Sequence, residues 1–299
     1  MLTNDKPRPA AQIVLVDKPG GMTSHDVVSR ARRAVGTRKI GHAGTLDPMA
    51  TGLLVLGVEG GTRLLTYLVG LDKTYEATIR LGQATTTDDA EGEVTTSADA
   101  SGVPANAIAD GIAALSGTIL QVPSSVSAIK VDGKRAYDLV RAGEQVELKS
   151  RQVTVSRFDV LAERRDGAFI DLDVVVDCSS GTYIRALARD LGDALGVGGH
   201  LTALRRTHVG PFDVSGASDA DTIGSVSLTP ATAAGLVMAT VVTTADEARD
   251  LRQGKKIAGG DRSATYPAAA VDPEGELIGI VDKRADTIKS IMNMPEVQA

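Results

Sequence analysis

Asp47 is the residue with the most chemistry to offer, in the stretch Gly41-His-Ala-Gly-Thr-Leu-Asp-Pro-Met-Ala-Thr-Gly52. Glycines on this stretch let the backbone approach a ligand closely and take up positive φ. Pro48 fixes its own φ and biases Asp47 toward an extended conformation. The apolar run at residues 53–58 then has the length of a buried strand. A carboxylate on a tight loop at the mouth of a buried strand is well placed for chemistry. A structural turn in which Asp47 caps its own backbone accounts for the same residues.

Other chemistries lack their residues. There is no G-x-x-x-x-G-K-[ST] phosphate loop and no G-x-S-x-G elbow. The glycines at 196–199 follow a helical pattern, not a strand, and make a poor dinucleotide site. His25, His42, His200 and His208 lack metal-ligand spacing, and the single cysteine, Cys178, rules out an internal disulfide and a multi-cysteine zinc site. What remains is a carboxylate without a metal, some arginines and a few tyrosines.

The elements that must position these groups follow from periodicity. The 299 residues suit one large domain plus a smaller one. Hydrophobic content is 42% and aromatic content 3%, so the core is aliphatic and each tyrosine needs its own explanation. Residues 12–16 read as a strand. Ser24 is a good N-cap for a helix with Val27, Val28, Ala31, Ala34 and Val35 at helical spacing, closed by Gly36. A short helix is expected at 62–69. Residues 74–81 alternate, with Tyr75, Ala77, Ile79 and Leu81 on one face. Residues 85–105 read as an acidic surface loop and 105–115 as a helix. A strand at 126–131, a turn at Asp132-Gly133 and a basic helix at 134–142 follow. Paired strands are expected at 153–160 and 169–176, then a helix opened by Gly181-Thr182 and ended by Gly196. The Ser-, Ala- and Thr-rich stretch 214–240 sets a boundary near 240, before a β-rich module at 241–299. Strands mixed with a few helices indicate α+β.

Charge is uneven. The net charge is −6, yet residues 18–42 carry Lys18, Arg30, Arg32, Arg33, Arg38 and Lys39 against Asp26 alone, while residues 82–111 hold six acids and no Lys or Arg. Local sign matters more than the total for a polyanion partner. A solvated helix face explains the same basic run. No run approaches the ~20 apolar residues of a membrane span, and the N-terminus lacks an apolar signal core, so a soluble cytoplasmic protein is expected.

Three segments taken together resemble the TruB-type tRNA pseudouridine synthases, which isomerise uridine-55 in the T loop. Val16-Asp-Lys-Pro-Gly-Gly-Met-Thr-Ser24 is similar to the family's K-P-x-G-x-T-S motif, residues 41–52 to its catalytic G-H-x-G-x-L-D-P-x-A-T-G loop, and Cys178-Ser-Ser-Gly-Thr-Tyr-Ile-Arg185 to its G-T-Y-I-R motif. Lys73-Thr-Tyr75 and Ala203-Leu-Arg-Arg206 match in the right order. The resemblance covers roughly residues 12–212. It implies a pseudouridine synthase fold, with a mixed, mainly antiparallel sheet around a central cleft in residues 1–240. It also implies an RNA-clamping insertion at about 123–147, with Lys130, Lys134, Arg135 and Arg141, and a PUA-like RNA-binding domain at 241–299.

The resemblance also supplies the reaction. The bond from ribose C1′ to uracil N1 breaks, the base turns, and C1′ joins C5. No oxidation or phosphoryl transfer occurs, so no cofactor and no metal are expected. Asp47 could attack C1′, stabilise an oxocarbenium-like or glycal intermediate as glycosidase carboxylates do, or add to C6 of the ring. Arg185 corresponds to the arginine that pairs with the catalytic carboxylate; such a partner favours the charged form. Tyr75 corresponds to the tyrosine that stacks on the target base and can act as a general base. Tyr183 and Leu204 match residues lining the uracil pocket. His42 matches the histidine that fills the space left by the flipped base, and Lys18 supports the loop backbone or a phosphate. The implied partner is the tRNA T arm, bound by a monomer. Two rival functions share these residues: an RNA-folding protein that uses the same cleft without catalysis, and an N-glycoside hydrolase that releases free uracil. The acidic stretch 82–111 is expected to lie away from the RNA.

Overall fold

A computed structural model describes residues 9–124, 130–131, 134–135, 148–260 and 262–295. The chain forms two compact units: residues 1–48, 52–69 and 209–299 make the first, residues 49–51 and 70–208 the second.

The first unit begins with β1 (Gln12–Lys18), α1 (Ser24–Val35), β2 (Ile40–His42) and β3 (Thr51–Val58), then a 3-10 turn and the short α2 (Leu65–Leu68). β1 runs antiparallel to β3 from Gln12 opposite Val58 to Lys18 opposite Gly52, and β2 also pairs antiparallel with β3. Val27, Val28 and Ala31 of α1 pack on Val14, Val16, Leu54 and Leu56. Each fully buried valine contributes about 1.5–3 kcal/mol. The helix does not start as its sequence suggests. Its N-cap is Thr23, in a capping box with Asp26, and Ser24 is the first helical residue. The Ser24 hydroxyl is committed elsewhere, to the Asp47 loop. Gly36 ends the helix in the left-handed conformation.

The second unit contains β4 (Lys73–Leu81), β5 (Gln83–Thr85), β6 (Val94–Ser97), α3 (Ala105–Ala114), β7 (Gly117–Gln121), β8 (Lys130–Val131), β9 (Lys134–Arg135), β10 (Arg151–Asp166), β11 (Phe169–Cys178), α4 (Ile184–Ala194) and β12 (Gly199–Val209). Strands lie in the order β12-β4-β11-β10-β7. The pairs β4–β11, β11–β10 and β10–β7 are antiparallel. The alternation of β4 is realised: Tyr75, Ala77, Ile79 and Leu81 are buried beside Ile170, Leu172, Val174 and Val176 of β11. The opposite face is zipped by ion pairs, Arg80 to Asp171 at 2.7 Å and Arg164 to Asp173. α4 buries Ile184, Ala186, Leu187, Ala188 and Leu191. Its C-terminal turn meets the start of β12 so closely that a Cβ on Gly192 would lie 2.1 Å from the Gly199 nitrogen, which only glycine permits.

Residues 83–97 are not a structureless loop. β5 and β6 form a hairpin whose turn is buried at Asp89. The basic helix expected at 134–142 is corrected where it can be checked: Lys134 and Arg135 are a strand paired with Val131 and Lys130. Residues 136–142, with Arg141, and the Asp132-Gly133 turn lie outside the described residues.

The rest of the first unit adds β13 (Phe212–Asp213), β14 (Ser218–Asp219), β15 (Ser227–Leu228), α5 (Pro230–Val237), β16 (Thr240–Val242), α6 (Ala245–Arg252), β17 (Lys256–Ala258), β18 (Ala268–Val271), β19 (Leu277–Arg284) and β20 (Thr287–Asn293). β14 joins β1 in parallel, β15 in antiparallel. A separate mixed sheet runs β16-β18-β19-β20-β17 over a core of Val241, Ala248, Leu251, Ile257, Ile278, Val281 and Ile288. The expected β-rich tail is this sheet. Mixed, mainly antiparallel sheets with segregated helices make the protein α+β. No described helix is long and apolar enough to cross a membrane.

Candidate active site

In the first unit, the peptide groups on either side of Asp47 are held by residues brought from the β1–α1 turn. The Ser24 hydroxyl donates to the Leu46 carbonyl at 3.1 Å and accepts from the Leu46 N–H at 2.9 Å. The Pro48 carbonyl accepts from the Lys18 ammonium at 3.1 Å and from the Gly21 N–H at 2.9 Å. Lys18 is fully buried and also donates to the carbonyls of Met22 at 2.6 Å and Pro19 at 3.0 Å. These bonds tie the ammonium to the backbone of the β1–α1 turn and of the Asp47 loop. The two sequence motifs that carry Lys18 and Asp47 form one braced turn, with Asp47 half-buried at its centre. His42 is half-buried at the end of β2, opposite Leu56.

In the second unit, Arg185 lies in the first turn of α4 and is 3% exposed. Its Nη1 donates to the Thr87 carbonyl at 2.8 Å and stands 3.6 Å from Oδ2 of Asp89. Asp89, itself 3% exposed, uses Oδ1 to accept from the Thr87 hydroxyl at 2.5 Å and the Glu91 N–H at 3.0 Å. One helical turn on, Arg189 pairs with Asp88 at 3.3 Å, and burial pushes the Asp88 carboxyl above its ordinary range. The acidic stretch thus supplies counter-charges to two arginines of α4. Sequence reading treats that stretch as surface and misses Asp89; the usable signal is two adjacent acids facing two arginines at i, i+4 spacing.

Tyr75 is buried on β4 and Leu204 on β12. Tyr183 is the N-cap of α4. The turn before it depends on Gly181, whose φ of +89° is strained for any residue with a Cβ. Lys130 is placed in β8, opposite Arg135. The two units therefore divide the predicted site residues: Lys18, His42 and Asp47 in one, Tyr75, Lys130, Tyr183, Arg185 and Leu204 in the other. Among the described residues no group of His, Cys, Asp and Glu could hold a metal ion.

Two further ionisable groups face each other where β4 begins and β11 ends. Burial pulls the Lys73 ammonium down to about 8, helped by the charge of Arg206, and pushes the Cys178 thiol opposite it up to about 11. The thiol is thus kept protonated and unreactive at neutral pH. Below about 8, Lys73 is charged in both the folded and unfolded states, and folding bears the cost of burying the charge. Between about 8 and the ordinary 10.5, the unfolded chain holds a proton that the folded one has lost, so stability rises with pH. Parent protein should therefore gain stability relative to Lys73→Met as the pH is raised from about 7 to about 10. Urea unfolding of both proteins across that range checks it; parallel curves would refute the buried charge.

Comparisons with known proteins place the chain in a family. A family profile described as TruB family pseudouridylate synthase (N terminal domain) matches residues 32–184. One described as tRNA pseudouridylate synthase B C-terminal domain matches residues 185–241. A protein from Leifsonia xyli subsp. xyli named tRNA pseudouridine synthase B is 57% identical over 290 residues, covering 95% of this chain and 96% of that one. One of the same name from Rhodococcus jostii is 57% identical over 286 residues, covering 94% and 93%. Among solved structures, a chain of a Cbf5-Nop10-Gar1 complex is 23% identical with a TM-score of 0.70, covering 95% of this chain and 84% of that one. A chain of an archaeal box H/ACA sRNP Nop10-Cbf5 complex is 22% identical with a TM-score of 0.67, covering 96% and 89%. These two are likenesses of fold. With relatives this similar over nearly its whole length, the chain belongs to the TruB family of pseudouridylate synthases.

Proposed function

We propose that this isomerase converts uridine-55 in the T loop of tRNA to pseudouridine, with Asp47 as its catalytic carboxylate and the target base flipped out of its stack. The observation that carries the reading is the brace on both peptide neighbours of Asp47, which fixes the loop that presents the carboxylate. The tRNA substrate rests on the relatives' names. In the reaction the C1′–N1 bond breaks, C1′ bonds to C5, the C5 proton leaves and N1 gains one. Asp47 assists the bond cleavage, and Arg185 pairs with the catalytic carboxylate. Tyr75 stacks on the base, a contact worth ~1–3 kcal/mol, and acts as the base toward the leaving proton. Tyr183 and Leu204 wall the uracil pocket, and His42 fills the place of the extruded base. Residues 1–240 form the catalytic domain, with Lys130 in the RNA-clamping insertion. Residues 241–299 form a PUA-like RNA-binding domain, supported by the self-contained sheet that begins at Thr240. The protein acts as a monomer in the cytoplasm.

The test is tRNA tritiated at uracil C5. Release of label to water together with pseudouridine in the product supports the reading. Free uracil would make the protein an N-glycoside hydrolase, and tight T-arm binding with no release would make it an RNA-folding protein.

Recognition gives a second expectation. The outer side of α1 and the turn after it expose Arg33, Arg38 and Lys39, whereas Arg30 is tied to Asp221 at 3.0 Å. T-arm affinity should fall steeply with salt, by a log–log slope of about 0.7–0.9 per phosphate neutralised. Arg33→Glu with Lys39→Glu should flatten that slope and weaken many RNAs alike, whereas His42→Ala should weaken T-loop binding at an unchanged slope. Filter binding over a salt series decides; a salt-independent parent, or a charge-reversed variant with the parent's slope, sinks the assignment of this face.

A further inference from the structure

Arg151 and Gln121 are cross-strand partners at the adjoining ends of β10 and β7, and both reach the turn that opens α4. Gln121 is fully buried. Its side-chain oxygen accepts from the Tyr183 N–H at 2.8 Å, and its nitrogen donates to the Tyr183 carbonyl at 3.0 Å. One amide thus closes on both backbone groups of a single residue. The Tyr183 carbonyl also takes the Leu187 N–H at 3.3 Å, the first hydrogen bond of α4, so the clamp acts on the helix start itself.

The Arg151 guanidinium lies over the Tyr183 ring, 4.6 Å from its centroid, a cation–π geometry. A Cβ on Gly181 would stand 3.6 Å from Arg151 Nη1. The same strand holds the beginning of the turn, since Thr154 N–H donates to the Ser179 hydroxyl at 2.9 Å and Ser179 N–H to the Thr154 carbonyl at 2.8 Å. Arg151 pays for its place. Its Nε and Nη2 are buried with no partner among the described residues. In Arg80 the same edge makes a fork of two bonds, 2.8 and 2.7 Å, to Asp171. An arginine retained for stability alone gains by pairing that edge, as Arg80 does. Among the described residues Arg151 leaves it unpaired, and its flat face lies on a tyrosine ring.

We propose that Gln121 and Arg151 are positioning residues for the isomerisation: they fix the backbone and the ring of Tyr183 and, through it, the turn of α4 that carries Arg185. This rests on Tyr183 as a wall of the uracil pocket. Neither residue touches the substrate in this scheme. Their effect is on the rate at saturation, because a reacting group displaced by about an ångström costs up to about a hundredfold.

The experiment compares the full-length parent with Arg151→Met, Arg151→Lys, Gln121→Met, Tyr183→Leu and the double variant Arg151→Met with Tyr183→Leu. Single-turnover tritium release at saturating T-arm RNA, filter-binding Kd and thermal midpoint are read for each. Arg151→Met and Gln121→Met should slow release about 10–100-fold with Kd within about twofold. Arg151→Lys, which keeps a cation on the ring, should recover most of the rate, a rescue that a general loss of folding would not give. The double variant should be no slower than Tyr183→Leu, because Arg151 acts through that ring. Parental rates for Arg151→Met and Gln121→Met overturn the proposal, as does a loss confined to Kd with a flatter salt slope, which would make Arg151 a phosphate contact. An Arg151→Lys variant as slow as Arg151→Met, or additive losses in the double, also overturns it. If Tyr183→Leu turns over like the parent, the reading of Tyr183 itself falls. If only Tyr183→Leu is slow, the positioning roles alone are lost.

Discussion

Asp47→Asn is expected to abolish isomerisation, a loss of about 10⁴-fold or more, while T-arm affinity stays within about twofold of the parent. The substitution keeps the shape of the side chain and removes its charge. The bonds that brace the loop end on the backbone of Leu46 and Pro48, so none of them depends on the carboxylate. Asp47 is half-buried, and the change exposes no core. Affinity for RNA comes chiefly from phosphates, which an aspartate does not bind. Turnover should therefore fall alone, with Tm and Kd near parental values. Substantial C5-tritium release by the asparagine variant would remove Asp47 from the chemistry.

What the sequence makes legible here is local and periodic. The two-residue alternation of β4 marks Tyr75 as inward-facing, and the 3.6-residue spacing of Val27, Val28 and Ala31 marks the core face of α1. Long-range commitments are not legible that way. Thr23 and Ser24 are adjacent and both suit an N-cap. Thr23 takes it because Ser24 is spent on Leu46, 22 residues away. Charge counting has the same limit. The acids of the β5–β6 turn look solvated until Asp88 and Asp89 are seen against Arg189 and Arg185, which lie some hundred residues on. Lys18 is the inverse case. A lysine in a Gly- and Pro-rich turn resembles a surface group, yet three carbonyls converge on its ammonium and allow full burial. Gln121 and Arg151 become partners only once the register of β7 on β10 is fixed.

That dependence on distant counter-charges gives the second large effect, at Arg185 and Asp89. Both side chains are 4% exposed, and they approach to 3.6 Å. Removing one partner leaves the other charged in a site closed to water, a loss of about 3–5 kcal/mol. Arg185→Ala should therefore lower the unfolding free energy by that amount and also cut turnover severely. Because the two losses arrive together, the alanine variant alone does not separate folding from chemistry. Arg185→Lys does: it keeps the charge, gives up the planar fork of donors, and forfeits much less stability. It should fold with a Tm near the parent's and bind the T arm normally, yet release C5 tritium at least about a hundredfold more slowly. Asp89→Asn keeps an acceptor for the Thr87 hydroxyl and the Glu91 N–H but drops the charge opposite Arg185. It should slow turnover in the same sense, because the guanidinium then lacks the Asp89 charge that helps to hold it beside the Thr87 carbonyl. A stable Arg185→Lys protein with parental single-turnover rates would show that the arginine matters to the fold and not to the reaction. Parental rates in Asp89→Asn would show that the Asp89 charge is not needed to aim it.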